Sequence, residues 1–150
     1  MVGSRERTLE NEVAGWPLVS VHPHRFLARE FRLGKAEIGH IHSWGDIDIP
    51  FPRELRDALI EDQMAERHRF VPDSGWTTFR MRADGDLDRA SLLMRMSYLR
   101  YALKVAPDPR DLFDRECARL HLSLRYASVL LRFIPVKAMH SAVAPRQPTP

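Results

Sequence analysis

Histidines are the residues of this chain best suited to chemistry. Five of the seven lie between residues 22 and 68, and four of them form two His-x-His pairs, His22/His24 and His40/His42. Residues i and i+2 of a strand point to the same face, so each pair should present two imidazoles side by side. Neutral imidazole binds Zn, Fe, Cu or Ni, and it also serves as a general base or as a donor to a developing oxyanion. The spacing alone favours neither chemistry.

A predicted hairpin places the second pair. Residues 27–33 and 36–42 flank Gly34-Lys35, which suits a two-residue type II′ turn. The simplest register pairs Arg29 with His40, so His40 and its i+2 neighbour lie on an apolar face. That face also carries Leu27, Phe31, Leu33, Ile38 and Trp44. Buried imidazoles need partners, and we therefore expect a pocket beneath the sheet, on its core-facing side.

Other side chains could complete such a pocket. Carboxylates that could join a histidine-bound metal are Glu30, Asp46, Asp48 and Asp73. Trp44 and Trp76 flank the histidine region and could stack on a flat aromatic ligand. Ser74 lies in a sequence typical of a turn and lacks the Gly-x-Ser-x-Gly elbow of hydrolases. The chain has no Gly-x-Gly-x-x-Gly and no phosphate-binding loop, which argues against NAD, FAD and ATP.

The elements that position these residues indicate an α+β fold, a small mostly antiparallel sheet packed against helices with a C-terminal helical extension. Period-two patterns and turn residues predict strands at 18–24, 27–33, 36–42, 46–49, 68–71 and 76–81. A helix is expected after Pro52 and a longer one from Asp84 or Asp86 to about Ala106. The predicted organisation is an N-terminal segment at 1–14, one domain at 15–134 and a flexible tail at 135–150.

Composition excludes several classes of protein. The chain has 150 residues, 44% hydrophobic and 29% charged, which is typical of one globular domain. It has one cysteine, no run long enough to span a membrane and no signal peptide, so we expect a cytoplasmic protein without a membrane partner. The net charge of +3 is spread along predicted helices, which argues against a nucleic-acid partner.

Several motifs, taken in order, resemble those of the domain family named for fungal luciferase. They are Val21-His22-Pro23-His24-Arg25-Phe26, Glu30-Phe31-Arg32-Leu33-Gly34, Ile38-Gly39-His40-Ile41-His42, Asp48-Ile49-Pro50-Phe51-Pro52 and Pro72-Asp73-Ser74-Gly75-Trp76. The resemblance covers roughly residues 15–105. It implies a pocket for a small, flat phenolic or pyrone-like ligand such as 3-hydroxyhispidin, which the fungal enzyme oxidises with O2 through an endoperoxide that loses CO2 and leaves an excited product.

The resemblance also implies roles for particular residues. The expected catalytic residues are His22, His24, His40 and His42. The expected substrate-binding residues are Arg25, Asp48, His68, Asp73, Ser74 and Trp76. A luciferase-like oxygenase would use molecular oxygen as co-substrate and no cofactor, because the electron-rich substrate supplies the electrons. Two alternatives stay open: a histidine-lined metal-binding protein or metallohydrolase, and a non-catalytic interaction module.

Overall fold

The computed structural model describes residues 2–140, which form one sheet and a set of helices. The strands are β1 Val19–Pro23, β2 Arg29–Leu33, β3 Ala36–Ile41, β4 Asp46–Pro50, β5 Glu66–Arg67 and β6 Trp76–Arg80. The α-helices are α1 Ser4–Ala14, α2 Arg53–Glu61, α3 Leu87–Val105, α4 Pro109–Arg119, α5 Leu124–Leu131 and α6 Val136–His140. The predicted α+β class with a helical C-terminal part is confirmed.

The six strands are antiparallel in the order β1-β2-β3-β4-β6-β5. One face of the sheet carries Phe31, Ile41, Ile47, Ile49 and Phe79, all buried, and packs against α3. Most of the apolar residues of α3 are buried as well. Helices α1, α4 and α5 cover the rest of α3, so the core lies on the helical side and the opposite face of the sheet is open.

Local signals account for the ends of several elements. Gly34 has a φ of 61°, as the predicted two-residue turn between β2 and β3 requires. Ser123 begins α5, because its Oγ accepts a hydrogen bond from the Tyr126 N–H at 3.2 Å. Asp86 instead closes a short 3₁₀ turn before α3, where its Oδ2 accepts from two backbone N–H groups.

The β2–β3 hairpin departs from the predicted register, and this corrects the prediction for the histidine faces. Leu33 pairs with Ala36 as expected, but a β-bulge at Ile38 makes Phe31 face Gly39 and Glu30 face His40. A shift of one residue turns every later side chain to the other face of the sheet. The second histidine pair therefore lies on the open face, and the expectation of a pocket on the core-facing side was wrong.

The strand predicted at 68–71 was also wrong. β5 is confined to Glu66–Arg67, and the next four residues have no regular structure. The His68 ring explains this locally, because its Nδ1 accepts a hydrogen bond from the Phe70 N–H at 3.2 Å. The Phe70 N–H is therefore not available for a ladder hydrogen bond.

Both ends of the chain bear on the predicted organisation. The segment at 1–14 contains α1, which packs fully buried Leu9 and Val13 into the common core. The predicted tail at 135–150 begins with α6, and its residues 141–150 lie outside the described residues. Across residues 2–140, no helix combines the length and the apolar character needed to cross a membrane.

Candidate functional site

A row of polar residues crosses the open face of the sheet, one from each strand. Strand pairing places its members directly opposite one another, in the order His22, Glu30, His40, Asp48, Thr78 and Glu66. Four of the six are buried: Glu30, His40, Asp48 and Thr78. An ionisable side chain that is buried away from water needs a hydrogen-bonding or charged partner close by. Neighbouring members of the row are such partners for one another.

Asp48 is the centre of this arrangement. Its Oδ2 lies 3.1 Å from His40 Nε2, 3.0 Å from His42 Nε2 and 3.5 Å from His68 Nε2. Its Oδ1 accepts a hydrogen bond from Thr78 Oγ1 at 2.6 Å. Burial alone would raise the pKa of Asp48, but the hydrogen bonds from His40, His42 and Thr78 hold it well below its usual range.

His40 lies between two carboxylates. Its Nδ1 is 2.6 Å from Glu37 Oε1, on the opposite side of the ring from Asp48. Burial lowers the pKa of His40, yet the hydrogen bonds to Asp48 and Glu37 outweigh that effect and raise the pKa to about 9. A carboxylate only accepts hydrogen bonds, so the Nδ1 nitrogen carries a proton and the ring orientation is fixed.

The His42 ring is held by the turn that joins β3 to β4. Its backbone N–H donates to Asp46 O at 2.8 Å, and its ring stacks on Trp44 at 4.4 Å. Its Nδ1 is buried and has no hydrogen-bond partner among the described residues. A buried polar atom without a partner is rare in a folded protein and marks His42 as more than a packing residue.

His24 covers His40 from the loop that follows β1. The two rings are stacked at 4.0 Å, and burial, with a further contribution from His40, lowers the pKa of His24. The loop then passes through Phe26 and Leu27, both at left-handed φ values of 57° and 62°. Non-glycine residues in that region are strained and occur preferentially at ligand-binding sites.

These side chains line a cavity of about 690 Å³ that opens to solvent. Histidines and Asp48 form its floor. Phe26, Trp44 and Phe70 stand at its rim, with exposed fractions of 79%, 53% and 79%. Arg25 and Arg69 also line it, and neither has a carboxylate partner within residues 2–140. The cavity therefore combines a polar floor, an aromatic rim and unpaired positive charge, and its volume suits a small ligand.

The structure brings together some of the residues predicted from the sequence and separates others. His24, Arg25, His40, His42, Asp48 and His68 line the cavity. Trp76 is not a lining residue, although its ring lies 5.5 Å from the His40 ring and 6.4 Å from the His68 ring. His22, Asp73 and Ser74 are not among the lining residues.

His22, Ser74 and Asp73 have other surroundings. His22 lies at the far end of the polar row, where its Nε2 is 2.8 Å from Ser20 Oγ. Ser74 closes the turn before β6, because its hydroxyl donates to Val71 O and accepts from the Trp76 N–H. Asp73 is exposed in the same turn.

Sequence reasoning missed six residues of this site. Glu37 and Thr78 contact His40 and Asp48 directly, and the other four line the cavity: Phe26, Arg69, Phe70 and Arg80. Thr78 could have been found from a β4–β6 pairing, since it lies directly opposite Asp48. The bulge in β3 hides Glu37, because it breaks the period-two alternation between residues 37 and 40.

Two overlapping sets of residues have the spacing of metal ligands. One is His40, His42 and Asp48, and the other is His24, Glu37 and His40; within each set the ligand atoms lie within 4.8 Å of one another. The remaining carboxylates suggested by the sequence do not join either set. Glu30 pairs with Arg32 at 2.7 Å, and Asp46 pairs with Arg80 and Arg82.

Comparison with known proteins identifies the segment that contains this site. Residues 35–97 match the family model of the luciferase domain. The match confirms the resemblance to the luciferase-type domain family and contains Glu37, His40, His42, Asp48 and His68. It covers less than half of the chain, and β1 with the loop carrying His24 and Arg25 lies outside it. No curated protein and no solved structure matches the chain at a significant level.

Proposed function

We propose that the cavity on the open face binds a small, flat phenolic or pyrone-like ligand, similar to 3-hydroxyhispidin, and promotes its oxidation by O2. The observation that carries the proposal is the combination of unpaired arginines and exposed aromatic rings around a histidine floor. The luciferase-domain match supports the same ligand class. A protein-binding surface alone would not need imidazoles buried in this way.

The rim suits the ligand's shape and charge. Trp44 already stacks on the His42 ring, and its exposed half offers a second face to a planar ligand. Arg25 and Arg69 favour the deprotonated form, because an enolate or phenolate oxygen would gain a charge-assisted hydrogen bond from a guanidinium group. Deprotonation is the step that makes such a substrate reactive towards oxygen.

The floor supplies polar groups to the other edge of the ligand. The ring nitrogens of His24 have no hydrogen-bond partner within residues 2–140, and the nearest carboxylate oxygen, Glu30 Oε2, is 3.9 Å from Nδ1. They are free to hydrogen-bond to a hydroxyl group of the ligand. In the reaction both oxygen atoms of O2 add to the ring, the endoperoxide loses CO2, and all electrons come from the substrate.

A binding titration tests this proposal. Fluorescence of the chain is followed as 3-hydroxyhispidin or a related pyrone is added without oxygen, and oxygen consumption is then measured with an electrode. Loss of a hydrogen bond to a charged group costs about 1.5–3 kcal/mol, so Arg25→Ala and Arg69→Ala should each weaken binding by about 10-fold or more.

Arg7→Ala is the matched control, since Arg7 is exposed on α1, outside the cavity. It should leave the dissociation constant unchanged. No binding of any pyrone or phenol to the folded protein, or equal weakening by Arg7→Ala, would overturn the proposal.

A further inference from the structure

We propose that His40, His42 and Asp48 form a binding site for one divalent transition-metal ion at the floor of the cavity. The inference concerns the same cavity and rests on the proposed function only for its location. The metal would be held by His40 Nε2, His42 Nε2 and Asp48 Oδ2. Two imidazoles and one carboxylate form a donor set suited to Zn²⁺, Fe²⁺ or Co²⁺.

The distances between the donor atoms fit one ion. Asp48 Oδ2 lies 3.1 Å from His40 Nε2 and 3.0 Å from His42 Nε2. Two ligand atoms at about 2.0–2.2 Å from a shared ion are separated by about 2.8–3.6 Å when their angle lies between 90° and tetrahedral. The side chains therefore already stand near their ligating positions.

Outer partners orient two of the three proposed ligands, His40 and Asp48. Glu37 accepts the proton of His40 Nδ1 at 2.6 Å, which leaves Nε2 to face the ion. Thr78 donates to Asp48 Oδ1 at 2.6 Å, which leaves Oδ2 free for it. A carboxylate behind a ligating histidine and a hydrogen bond to a ligating carboxylate are the usual supports of such a site.

His68 takes a different role. Its Nδ1 accepts the Phe70 N–H, so in the neutral ring the proton is on Nε2, the atom 3.5 Å from Asp48 Oδ2. It acts as a hydrogen-bond donor at the edge of the site and not as a ligand. Three protein ligands then leave coordination positions for water or for an oxygen of the bound pyrone.

The crowding at Asp48 Oδ2 supports this assignment. One carboxylate oxygen has two lone pairs, yet three imidazole nitrogens lie within 3.5 Å of it. Hydrogen bonds alone cannot use all three contacts fully. A metal ion bound to Asp48 Oδ2, His40 Nε2 and His42 Nε2 would place these three atoms side by side as its ligands. Asp48 Oδ2 would then need to accept a hydrogen bond only from His68.

The alternative set of His24, Glu37 and His40 is less well built. Glu37 is engaged with His40 Nδ1, and the His24 ring stacks on the His40 ring at 4.0 Å with an interplanar angle of 18°. An imidazole nitrogen binds a metal in the plane of its ring, and two stacked rings do not share a plane. The two sets share His40 and differ in their other members, which makes them separable by mutation.

The test is metal binding by chelator-treated protein in the absence of any aromatic ligand. Isothermal titration with Zn²⁺ should give one ion per chain, and Co²⁺ should give visible d–d absorption. Removal of an outer hydrogen-bond partner typically lowers the metal affinity of a site by about 10–100-fold. His42→Ala and Asp48→Asn remove a ligand itself, so each should lower the affinity by more than that. His24→Ala and His22→Ala are the matched controls and should retain wild-type affinity.

Circular dichroism and thermal unfolding without metal establish that each variant is folded. For wild-type protein, the ring ¹⁵N resonances of His40 and His42 should shift at Nε2 when Zn²⁺ is added, which tests the site even if a variant fails to fold. Absence of binding by folded wild-type protein, full affinity in His42→Ala, or loss of binding in His24→Ala would overturn the assignment. Pyrone binding is measured separately, so either proposal can fail alone.

Discussion

Gly39 should not accept a side chain without a loss of stability, because it lies in the bulge that turns His40 onto the open face. Its φ is 149°, and a Cβ there would lie 2.8 Å from Met94 Sδ and 3.0 Å from Asp48 O. Backbone strain costs about 1–3 kcal/mol and overpacking a further 1–3 kcal/mol. We expect Gly39→Ala to lower the free energy of unfolding by about 2–6 kcal/mol.

Urea denaturation followed by circular dichroism measures this loss, with two glycines as controls. Gly34 has a φ of 61° but open space around it, so Gly34→Ala should cost about 1–2 kcal/mol. Gly85 has open space and no unusual φ, so Gly85→Ala should change stability by less than about 0.5 kcal/mol. A Gly39→Ala protein as stable as Gly85→Ala would refute the assignment of the bulge.

Three further predictions concern the core, an ion pair and the rim. Leu99 is 2% exposed, so Leu99→Ala should cost about 2–5 kcal/mol in urea unfolding; a loss below about 1 kcal/mol would contradict its place in the core. Burial would raise the pKa of Glu116, but hydrogen bonds from Arg95 and Arg119 lower it to about 2, from an ordinary 4.5. The ion pair therefore stabilises the fold fully above pH 4.5, and this stabilisation is lost as the pH falls towards 2. Glu116→Gln should lower the free energy of unfolding by about 3 kcal/mol at pH 7 and by progressively less below pH 4.5. A loss of stability that does not change with pH would contradict this. Phe70→Ala should leave stability within about 0.5 kcal/mol and raise the pyrone dissociation constant about 2–10-fold, whereas an unchanged constant would remove Phe70 from the binding surface.

The sequence predicted the elements that local patterns specify. The turn at Gly34, the helix after Pro52 and the long helix that begins near Asp86 all follow from short-range rules, and the structure confirms them. The bulge could not be predicted in this way, because Ile38 fits the core in either register. A long-range contact accompanies it: a Cβ at position 39 would lie 2.8 Å from Met94 Sδ and 3.0 Å from Asp48 O.

The candidate site was predictable in its residue types and less so in its placement. The concentration of histidines pointed to the correct part of the chain, but the face on which they lie depends on one bulged residue. His22 has the same spacing from His24 as His40 has from His42, yet β1 is an edge strand and His22 lies beyond the cavity. Spacing along a strand identifies a shared face; only strand order shows which neighbours complete the site.

A crystal structure of the complex with 3-hydroxyhispidin, from crystals grown without oxygen, would show directly whether the cavity binds a pyrone. We expect one planar ligand in the cavity on the open face, with its ring against Trp44 and an acidic oxygen near Arg25 or Arg69. An empty cavity at saturating ligand concentration, or a ligand bound only on the helical side of the sheet, would contradict it.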